Sequence, residues 1–395
     1  MQLKFLPDAD LKGKKVVARF DFNVPLTKTE PRTITDPSRI DMAIPTIRMM
    51  LEMGAAKIIL ISHLGRPDGQ PNPKYSLEPV AQYLAGKLGT DVILSESAID
   101  NGVKNLLQLP ETKVVLLENI RFIPGEEKND MALAEKLAQY GDIYVNDAFG
   151  AAHRKHSSTH AINAFFKGRA YAGLLMKKEI ESLSTLLEKP AKPFVAIIGG
   201  AKVSDKIKTI EKMLVMVDTL LIGGAMAYPF LKAQGRTVGK SLCGDVDVAL
   251  AKQLLSQDKG KKIQLPRDHV VADTLEGNPQ VNDRQDIPEG KMGLDIGPET
   301  VKAFGEHLKT AKTIFWNGPM GLFESKNFAK GTMAVAHIIA ETKAFTVVGG
   351  GDSVAAVQES GVADKFSHVS SGGGASLEYI ERGELPGVQA LKLGV

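Results

Sequence analysis

Short apolar runs alternate with amphipathic segments along most of this chain. Runs rich in valine and isoleucine are typical of strands buried on both faces. In the first half these runs are Lys14–Leu26, Lys57–Ser62, Asp91–Leu94, Lys113–Leu117 and Asp142–Val145. Apolar residues at helical spacing predict helices at about Arg39–Met53, Ser76–Leu88 and Asp130–Tyr140, with Pro45 expected to kink or shorten the first. Strands alternating with helices predict an α/β fold, in which a parallel sheet carries helices on both faces.

The second half repeats the pattern, so two Rossmann-like domains are expected. Its predicted strands are Phe194–Ile198, Thr219–Ile222, Lys262–Leu265, Val270–Ala272, Thr313–Trp316 and Phe345–Val348. Between the halves, residues 171–187 repeat apolar side chains at helical spacing, and Pro190 and Pro193 bracket their exit. A surface helix of either half is the alternative for this segment, but the alternation of strands and helices restarts just after it. We therefore predict an N-terminal domain over residues 1–170, a joining helix and hinge over 171–188 and a C-terminal domain over 189–384.

Composition excludes several classes of protein. The 395 residues are 43% apolar, and the formal net charge is only +3 without a basic block, which argues against nucleic-acid binding. A single cysteine, Cys243, excludes an internal disulfide and a cysteine zinc cage. The N-terminal segment lacks the apolar stretch of a signal peptide, and no apolar run is long enough for a bilayer. A cytoplasmic protein without a membrane partner is expected.

Arginines follow several predicted strands of the first half. In parallel sheets, ligands bind outside the carboxyl ends of the strands. Any one of these arginines alone would be read as a surface residue, but a cluster of planar guanidinium groups describes a site for a small, multiply charged anion. The predicted cluster comprises Arg39, Arg66, Arg121 and Arg154 with His63 beside them, and Asp21 and Asn23 share a face of the first strand with Arg19.

Three nearby histidines, His153, His156 and His160, invite a metal assignment. No carboxylate or cysteine completes the set, and Arg154 and Lys155 place positive charge where a cation would sit. We reject the metal site. For His156 two interpretations stay open, an ordinary loop histidine and a member of the anion site.

The segment from Lys192 to Glu211 has two open interpretations, a second anion site and an ordinary strand-to-helix turn with solvated lysines, and the rest of the chain favours the anion site. A buried strand ends at Gly199 and Gly200, and Ser204 is expected to cap a helix beginning near Asp205. Lys202 and Lys206 would share a face of that helix.

Glycine-rich turns follow three later strands and suit the close approach of a polyphosphate. They are Asn317–Gly321 with Glu324 beyond, Gly349–Ser353, and Ser370–Gly374. Asp352 and Ser353 have two open interpretations, a helix N-cap and a role in binding, where Asp352 would be a magnesium ligand. The segment Gly235–Ser241 resembles a phosphate-binding Walker loop but has three residues between its glycines where four are required.

An anion site on one domain and a magnesium-nucleotide site on the other suit phosphoryl transfer, in which the protein positions groups and neutralises charge. No Ser-His-Asp or Cys-His arrangement indicates a nucleophile, so direct transfer between substrates is expected.

The chain also resembles a known family over nearly its whole length. The motifs RFDFNVP, SHLGRP, ENIRF, NDAFGAAHR, IIGGAKVSDKI, GLDIGPET, FWNGPMGLFE, GGGDS and VSSGGGASLE look like those of the phosphoglycerate kinases. The resemblance implies reversible, Mg²⁺-dependent phosphoryl transfer between 1,3-bisphosphoglycerate and ADP, giving 3-phosphoglycerate and ATP in glycolysis. It also implies closure of two domains before in-line transfer, a monomer, and a C-terminal tail over about residues 385–395 that packs on the first domain.

Matching positions carry the family's roles to this sequence. The implied catalytic residues are Arg39, Lys202, Gly372 and Gly373. The implied contacts to the acid substrate are Asp21, Asn23, Arg39, His63, Arg66, Arg121 and Arg154. The implied contacts to the nucleotide are Gly200, Lys206, Gly224, Gly293, Asn317, Glu324, Gly350, Gly351, Asp352 and Ser353, with Asp352 as the magnesium ligand.

The sequence departs from the family pattern in a few places. Residues 27–38 lack an expected glycine and carry Pro31 and Pro37, which affects the path that delivers Arg39. Pro229 falls inside a predicted helix. The alternative function is an anion-binding or regulatory protein on the same scaffold without turnover, although Arg39, Lys202 and Asp352 argue against it.

Overall fold

The computed structural model describes residues 2–393, which form two compact units. Unit 1 contains the chain up to Glu181 and the residues from Glu384 onwards, and unit 2 is the continuous stretch Ser182–Gly383. Within residues 2–393 every helix is too short or too polar to span a bilayer.

Unit 1 is built on a six-stranded parallel sheet. Its strands are β1 (Lys15–Arg19), β2 (Lys57–Ile61), β3 (Val92–Leu94), β4 (Val114–Leu116), β5 (Ile143–Asn146) and β6 (Ala170–Ala172). They lie in the order β3-β4-β2-β1-β5-β6. All residues of β2, β4 and β5 are buried, as expected for strands covered on both faces.

Five helices flank or follow this sheet: α1 (Ser38–Glu52), α2 (Glu78–Leu88), α3 (Asn101–Leu106), α4 (Met131–Ala138) and α5 (Leu174–Glu188). Pro45 lies inside α1, yet the helix continues through it for a further two turns. The joining helix α5 begins at Leu174, later than predicted, because Tyr171 pairs with Val145 as part of β6. The division between the units falls within α5.

The first predicted strand is shorter than expected. It was predicted over Lys14–Leu26, but β1 ends at Arg19. Beyond it the chain leaves the sheet, and the backbone N–H of Phe22 donates to the Ser62 hydroxyl at 2.8 Å. Phe20 and Phe22 stay fully buried and stack with ring centroids 5.4 Å apart, so the apolar pattern reports burial after the strand has ended.

Unit 2 contains two sheets. The strands are β7 (Phe194–Ile198), β8 (Thr219–Ile222), β9 (Ile263–Gln264), β10 (His269–Ala272), β11 (Gln280–Asn282), β12 (Met292–Ile296), β13 (Thr313–Asn317), β14 (Phe345–Val348) and β15 (His368–Val369). Six form a parallel sheet in the order β15-β14-β13-β7-β8-β9. The other three form an antiparallel sheet, β11-β10-β12, that sequence analysis did not predict.

Seven helices complete unit 2: α6 (Ile207–Met216), α7 (Ala227–Ala233), α8 (Asp245–Ser256), α9 (Pro298–Thr310), α10 (Lys330–Ala340), α11 (Gly351–Glu359) and α12 (Gly374–Arg382). Pro229 lies in the first turn of α7, where a missing N–H costs no helical hydrogen bond. Trp316 is fully buried on β13 and packs into the core with residues of β7 and α10.

The last described helix, α13 (Pro386–Leu393), belongs to unit 1. The backbone N–H of Gly387 donates to the carbonyl of Ala152 at 2.8 Å, and α13 also contacts β6. A Cβ on Gly387 would lie 3.1 Å from the Ala152 backbone, so this approach is close. The final two residues of the predicted tail, 394 and 395, lie outside the described residues.

Candidate active site

Polar side chains collect at one edge of the unit 1 sheet. Parallel strands β1, β2, β4 and β5 end at this edge, and the segments that follow them carry Asp21, Asn23, His63, Arg121 and Arg154. The shared edge of a parallel sheet brings these segments together although they lie far apart in sequence.

Arg39 reaches this edge from the first turn of α1. Its Nη1 donates to Oδ2 of Asp21 at 2.8 Å, and the Asp21 side chain is only 12% exposed. Burial raises the pKa of Asp21, but the neighbouring His63, Arg39 and Arg19 and the N–H of Asn23 together outweigh it and hold the pKa below its ordinary value. The proline-containing loop before α1 therefore delivers Arg39 to the predicted anion site.

The loop after β2 is fixed by two of the predicted residues. Oδ1 of Asn23 accepts the N–H of Gly65 at 2.9 Å, and Nη1 of Arg121 donates to the carbonyl of Gly65 at 2.8 Å. Gly65 has φ 61°, and a Cβ there would lie 2.3 Å from the ring of Tyr75. Only glycine fits this turn. The neighbouring Arg66 is exposed to solvent.

His63 is 5% exposed and lies beside Asp21. Burial lowers the pKa of His63 well below its ordinary value, and the charges of Arg19, Arg121 and Arg39 lower it further against the opposing effect of Asp21. The imidazole is therefore neutral near pH 7 and can donate only one ring N–H.

Arg154 is exposed, and its Nε donates to Nε2 of His153 at 3.1 Å. His156 is only 4% exposed, and its Nδ1 lies 3.9 Å from Oε1 of Glu126. Burial and the charges of Arg19, Arg121 and Arg154 lower the pKa of His156 to about 3. His156 thus packs beneath the cationic edge as a neutral side chain.

In unit 2, glycines with positive φ shape the turns at the ends of the strands. Gly200, Gly224 and Gly350 have φ 106°, 65° and 94°. Gly318 has φ 90°, and a Cβ there would lie 2.2 Å from the carbonyl oxygen of Gly199. Side chains at these positions would obstruct the approach of backbone N–H groups to a ligand.

Two predictions about the turn after β7 are wrong. Ser204 caps no helix with its side chain, and its backbone N–H donates to Oδ1 of Asp247 at 2.7 Å. The α-helix begins only at Ile207, after a 3₁₀ turn, so Lys202 and Lys206 precede it and do not share one of its faces. The turn is held in place by backbone hydrogen bonds, since both the N–H and the carbonyl of Gly200 bond to backbone groups of neighbouring loops.

The two lysines differ in environment. Lys202 is exposed to solvent. Lys206 points inward, where Nζ donates to the carbonyl of Gly199 at 2.7 Å. Burial lowers the pKa of Lys206 to about 8, against the opposing charges of Asp352 and Asp205. Lys206 is therefore a partly buried cation whose charge a bound phosphate would stabilise.

A small cavity of about 210 Å³, which we call the phosphate-sized cavity, opens beside Lys206. Its lining includes Asn317, Gly350, Gly351, Asp352, Ser353 and Gly373. Helix α11 begins at Gly351 with Gly350 as its N-cap, so neither Asp352 nor Ser353 is the cap. Instead the Ser353 hydroxyl accepts the N–H of Gly318, and the carboxylate of Asp352 is exposed within the first turn.

Asn317 at the end of β13 is 1% exposed, and its Nδ2 donates to the carbonyl of Gly349 at 2.6 Å. Its Oδ1 is buried without a hydrogen-bond partner among the described residues. Such an orphaned acceptor in a cavity wall suits a donor supplied by a ligand, for example a water molecule bound to a cation.

The segment Gly372–Gly374 lies at the start of α12. The Gly372 N–H donates to the Ser370 hydroxyl at 3.1 Å, and Gly373 has φ 52° as the N-cap. Gly373 and Gly374 of this helix start line the same small cavity, where an anion is favoured.

A larger cavity of about 460 Å³ adjoins the phosphate-sized one. Five of the predicted nucleotide contacts line it, namely Gly200, Gly224, Gly293, Glu324 and Asp352. A Cβ on Gly293 would lie 2.3 Å from the Tyr228 hydroxyl, so glycine keeps this wall flat. The remaining wall is largely apolar and was not predicted: it includes Tyr228, Leu242, Leu275, Met292, Leu294 and Leu322.

Two leucines of this apolar wall are unusually exposed to solvent. Leu242 is 55% exposed and Leu275 is 52% exposed, in loops where leucine has no core to join. In the sequence each sits among polar residues, which is the pattern that could have indicated a ligand wall. A flat apolar slot beside a phosphate site suits a nucleotide base.

The residues present fit a magnesium ion held mainly by substrate. No group of three or more His, Cys, Asp or Glu side chains able to hold a metal exists within residues 2–393. Magnesium commonly takes one or two carboxylates together with substrate phosphates, and Asp352 at the phosphate-sized cavity offers one carboxylate.

Two α/β units built on parallel sheets, one with arginines gathered at a sheet edge and one with glycine-rich turns around a cavity, are the architecture of a phosphotransferase. The family model for phosphoglycerate kinase matches residues 6–383. The chain belongs to the phosphoglycerate kinase family.

Individual relatives are similar over their whole length. A phosphoglycerate kinase of Anaeromyxobacter sp. (strain Fw109-5) is 53% identical over 401 residues, which cover 99% of this chain and 100% of that protein. The solved structure of phosphoglycerate kinase from Coxiella burnetii matches with TM-score 0.88 at 38% identity, and 99% of each chain is covered. That from Pyrococcus horikoshii OT3 matches with TM-score 0.86 at 31% identity, again with 99% of each chain covered.

Proposed function

We propose that this chain catalyses the reversible transfer of a phosphoryl group between the acyl phosphate of 1,3-bisphosphoglycerate and Mg-ADP, giving 3-phosphoglycerate and Mg-ATP in glycolysis. Family membership supports the reaction. The observation that carries the assignment of the site is the pairing of Arg39 with Asp21 beside neutral His63, at an edge where Arg121 is also anchored.

The cationic edge of unit 1 suits a small acid that carries both a carboxyl and a phosphate group. Asp21 and Asn23 would orient the hydroxyl and carboxyl region, and hydrogen bonds within the protein hold both side chains. His63, Arg66, Arg121 and Arg154 would bind the distal phosphate by charge-assisted hydrogen bonds. Arg39 would lie at the reacting carboxyl and stabilise the charge that develops during transfer.

The paired cavities of unit 2 suit a nucleotide. The base would occupy the apolar slot beside Gly293, with Glu324 near the ribose, and the phosphates would extend towards Lys206 and the N-terminus of α11. Asp352 would hold Mg²⁺, which neutralises phosphate charge when it is bound. Lys202 and the helix start at Gly372–Gly374 would contact the transferring group.

Direct transfer needs no base from the protein. The acceptor in the ATP-consuming direction is a carboxylate, which is already ionised at pH 7. Because the two half-sites belong to separate compact units, we infer that the units approach each other before transfer and exclude water from the reacting groups. Small-angle scattering should report a smaller radius of gyration when both substrates are present than with either alone.

A coupled assay with 3-phosphoglycerate and Mg-ATP tests the function. Arg39→Ala and Lys202→Ala should each lower kcat by orders of magnitude while circular dichroism shows an intact fold. Matched controls are Arg48→Ala on the same helix, an exposed residue bonded to the Lys87 carbonyl, and Lys208→Ala, both expected near wild type.

Near wild-type turnover in both site variants would contradict the mechanism, and an inactive wild type that still binds both substrates would support a regulatory protein instead.

We also propose that the protein is a cytoplasmic monomer without a membrane or nucleic-acid partner. Light scattering after size-exclusion chromatography tests the oligomeric state.

A further inference from the structure

Arg19, at the end of β1, is one of the largest fully buried side chains and is 0% exposed. It is therefore screened from any substrate, although it lies directly behind the cationic edge of unit 1. Its Nη1 donates to the carbonyl of Phe20, its Nε donates to the Ser158 hydroxyl at 2.8 Å, and its Nη2 lies 3.1 Å from Nδ1 of His63. Burying a guanidinium has a large desolvation cost, which these three contacts help to offset.

The contact between Arg19 and His63 determines the tautomer of the histidine. A guanidinium group has only donors, so Nδ1 of His63 must accept the hydrogen bond with its lone pair. The ring proton then resides on Nε2. Oδ1 of Asp21 is 3.9 Å from the same Nδ1, which is beyond hydrogen-bond distance, so the carboxylate does not compete for it.

Arg19 is in turn oriented by a buried carboxyl group. Ser158 accepts from Arg19 and donates its hydroxyl to Oε1 of Glu126 at 2.6 Å, while its backbone N–H donates to Oε2 at 3.0 Å. Ser158 and Glu126 are both 0% exposed. The Ser158 carbonyl also accepts the Tyr144 hydroxyl at 2.6 Å, which fixes the serine from its other side. Each group in this chain of contacts therefore has one available orientation.

We propose that Glu126, Ser158 and Arg19 form a buried positioning chain that holds His63 as the Nε2–H tautomer, so that Nε2 donates a hydrogen bond to an anionic oxygen of the acid substrate. The identity of that substrate rests on the proposed function. The charged groups that face His63 are Asp21, Arg19, Arg121 and Arg39, and burial together with the three arginines keeps the ring neutral. Neutral His63 with the opposite tautomer would present a lone pair to the anion and repel it.

The tautomer can be measured directly in the substrate-free enzyme. Nitrogen-15 NMR of histidine-labelled protein distinguishes a protonated from an unprotonated ring nitrogen, and the His63→Gln variant assigns the resonance. We expect Nε2 protonated and Nδ1 unprotonated between about pH 6 and pH 8. An Nδ1–H tautomer or an imidazolium ion in this range overturns the proposal. This measurement needs no turnover, so its outcome is distinct from failure of the proposed function, which an inactive wild type would reveal.

Two adjacent serines provide a matched pair of variants. Ser158→Ala breaks the chain, whereas Ser157→Ala removes a neighbouring, equally buried hydroxyl that donates to the Gly125 carbonyl at 3.0 Å. We expect Ser158→Ala to give mixed tautomers of His63 and to raise KM for 3-phosphoglycerate about tenfold, with KM for Mg-ATP unchanged. Ser157→Ala should change neither the tautomer nor either KM.

Equal effects of the two serine variants would show a merely structural role and overturn the proposal. If Ser158→Ala does not fold, Glu126→Gln serves in its place, because the amide keeps the shape of the side chain while removing its charge. The same pair of readouts, tautomer and KM for the acid substrate, then decides the outcome. A Glu126→Gln enzyme with wild-type values of both would refute the role of the carboxyl group.

Discussion

Titration of Lys206 should make nucleotide affinity depend on pH. Its Nζ is held at the phosphate-sized cavity by the Gly199 carbonyl, and burial lowers its pKa to about 8. Bound phosphate stabilises the ammonium form, whereas above about pH 8 the free enzyme carries mostly neutral Lys206. Binding must then take up a proton, so affinity falls as the pH rises through the pKa.

The size of the effect follows from the protonated fraction. With a pKa of about 8, roughly nine-tenths of Lys206 is charged at about pH 7 and roughly one-tenth at about pH 9. If only the charged form binds, the dissociation constant for Mg-ADP rises about tenfold across this range, which corresponds to about 1.4 kcal/mol. Residual binding by the neutral form would reduce this figure, so it is an upper estimate.

Isothermal titration calorimetry of Mg-ADP in two buffers of different ionisation enthalpy measures both the affinity and the proton uptake. The wild type should take up a proton above about pH 8. Lys206→Arg, which stays charged, should bind with little pH dependence and no proton uptake. Lys208→Arg, exposed on α6, is the control and should retain the wild-type slope. A wild-type affinity that is constant from about pH 7 to pH 9 would refute the assigned position of Lys206 at the phosphates.

Three further predictions concern separate parts of the site. Arg39→Lys keeps the charge but loses the planar fork, so kcat/KM for 3-phosphoglycerate should fall about tenfold in steady-state assays, and an unchanged kcat/KM would exclude a direct contact. Asp352→Asn should raise the Mg²⁺ concentration for half-maximal activity about tenfold without altering the KM for the acid, whereas an unaltered requirement would remove Asp352 as a ligand. In urea unfolding, Gly318→Ala should lower the free energy of unfolding by more than about 2 kcal/mol, because its Cβ would lie 2.2 Å from a carbonyl oxygen. Gly13 has φ 70° but open space around it, so Gly13→Ala should lower the free energy of unfolding by only about 1 kcal/mol. Equal losses in the two variants would contradict the steric argument.

Much of the fold could be predicted because buried parallel strands leave a strong apolar signal. Thr219–Ile222 and Phe345–Val348 were predicted with the bounds of β8 and β14. The antiparallel sheet was missed because β11 is mostly exposed and polar, and β12 contains a glycine and an aspartate within its five residues. Strands of this kind are specified by the partners they pair with more than by their own sequence.

The residues of the candidate site were likewise predictable from sequence only in part. The arginines and glycines were identifiable from their positions after strands, because the edge of a parallel sheet gathers those positions. Arg19 was placed on the correct strand, but its buried guanidinium donates to Ser158, which is 139 residues away in sequence. The failed Ser204 cap has a similar cause, since Asp247 from another helix satisfies the backbone there. Pairing across such separations leaves no local pattern.

The return of α13 to unit 1 has a consequence for synthesis on the ribosome. Unit 2 is continuous, so all of its strands have emerged before α13 is translated, whereas unit 1 still lacks the helix that contacts β6 and Ala152. The half of the enzyme that is made first is thus completed last. Vectorial synthesis should leave a nascent N-terminal half that is open to proteases until α13 leaves the exit tunnel.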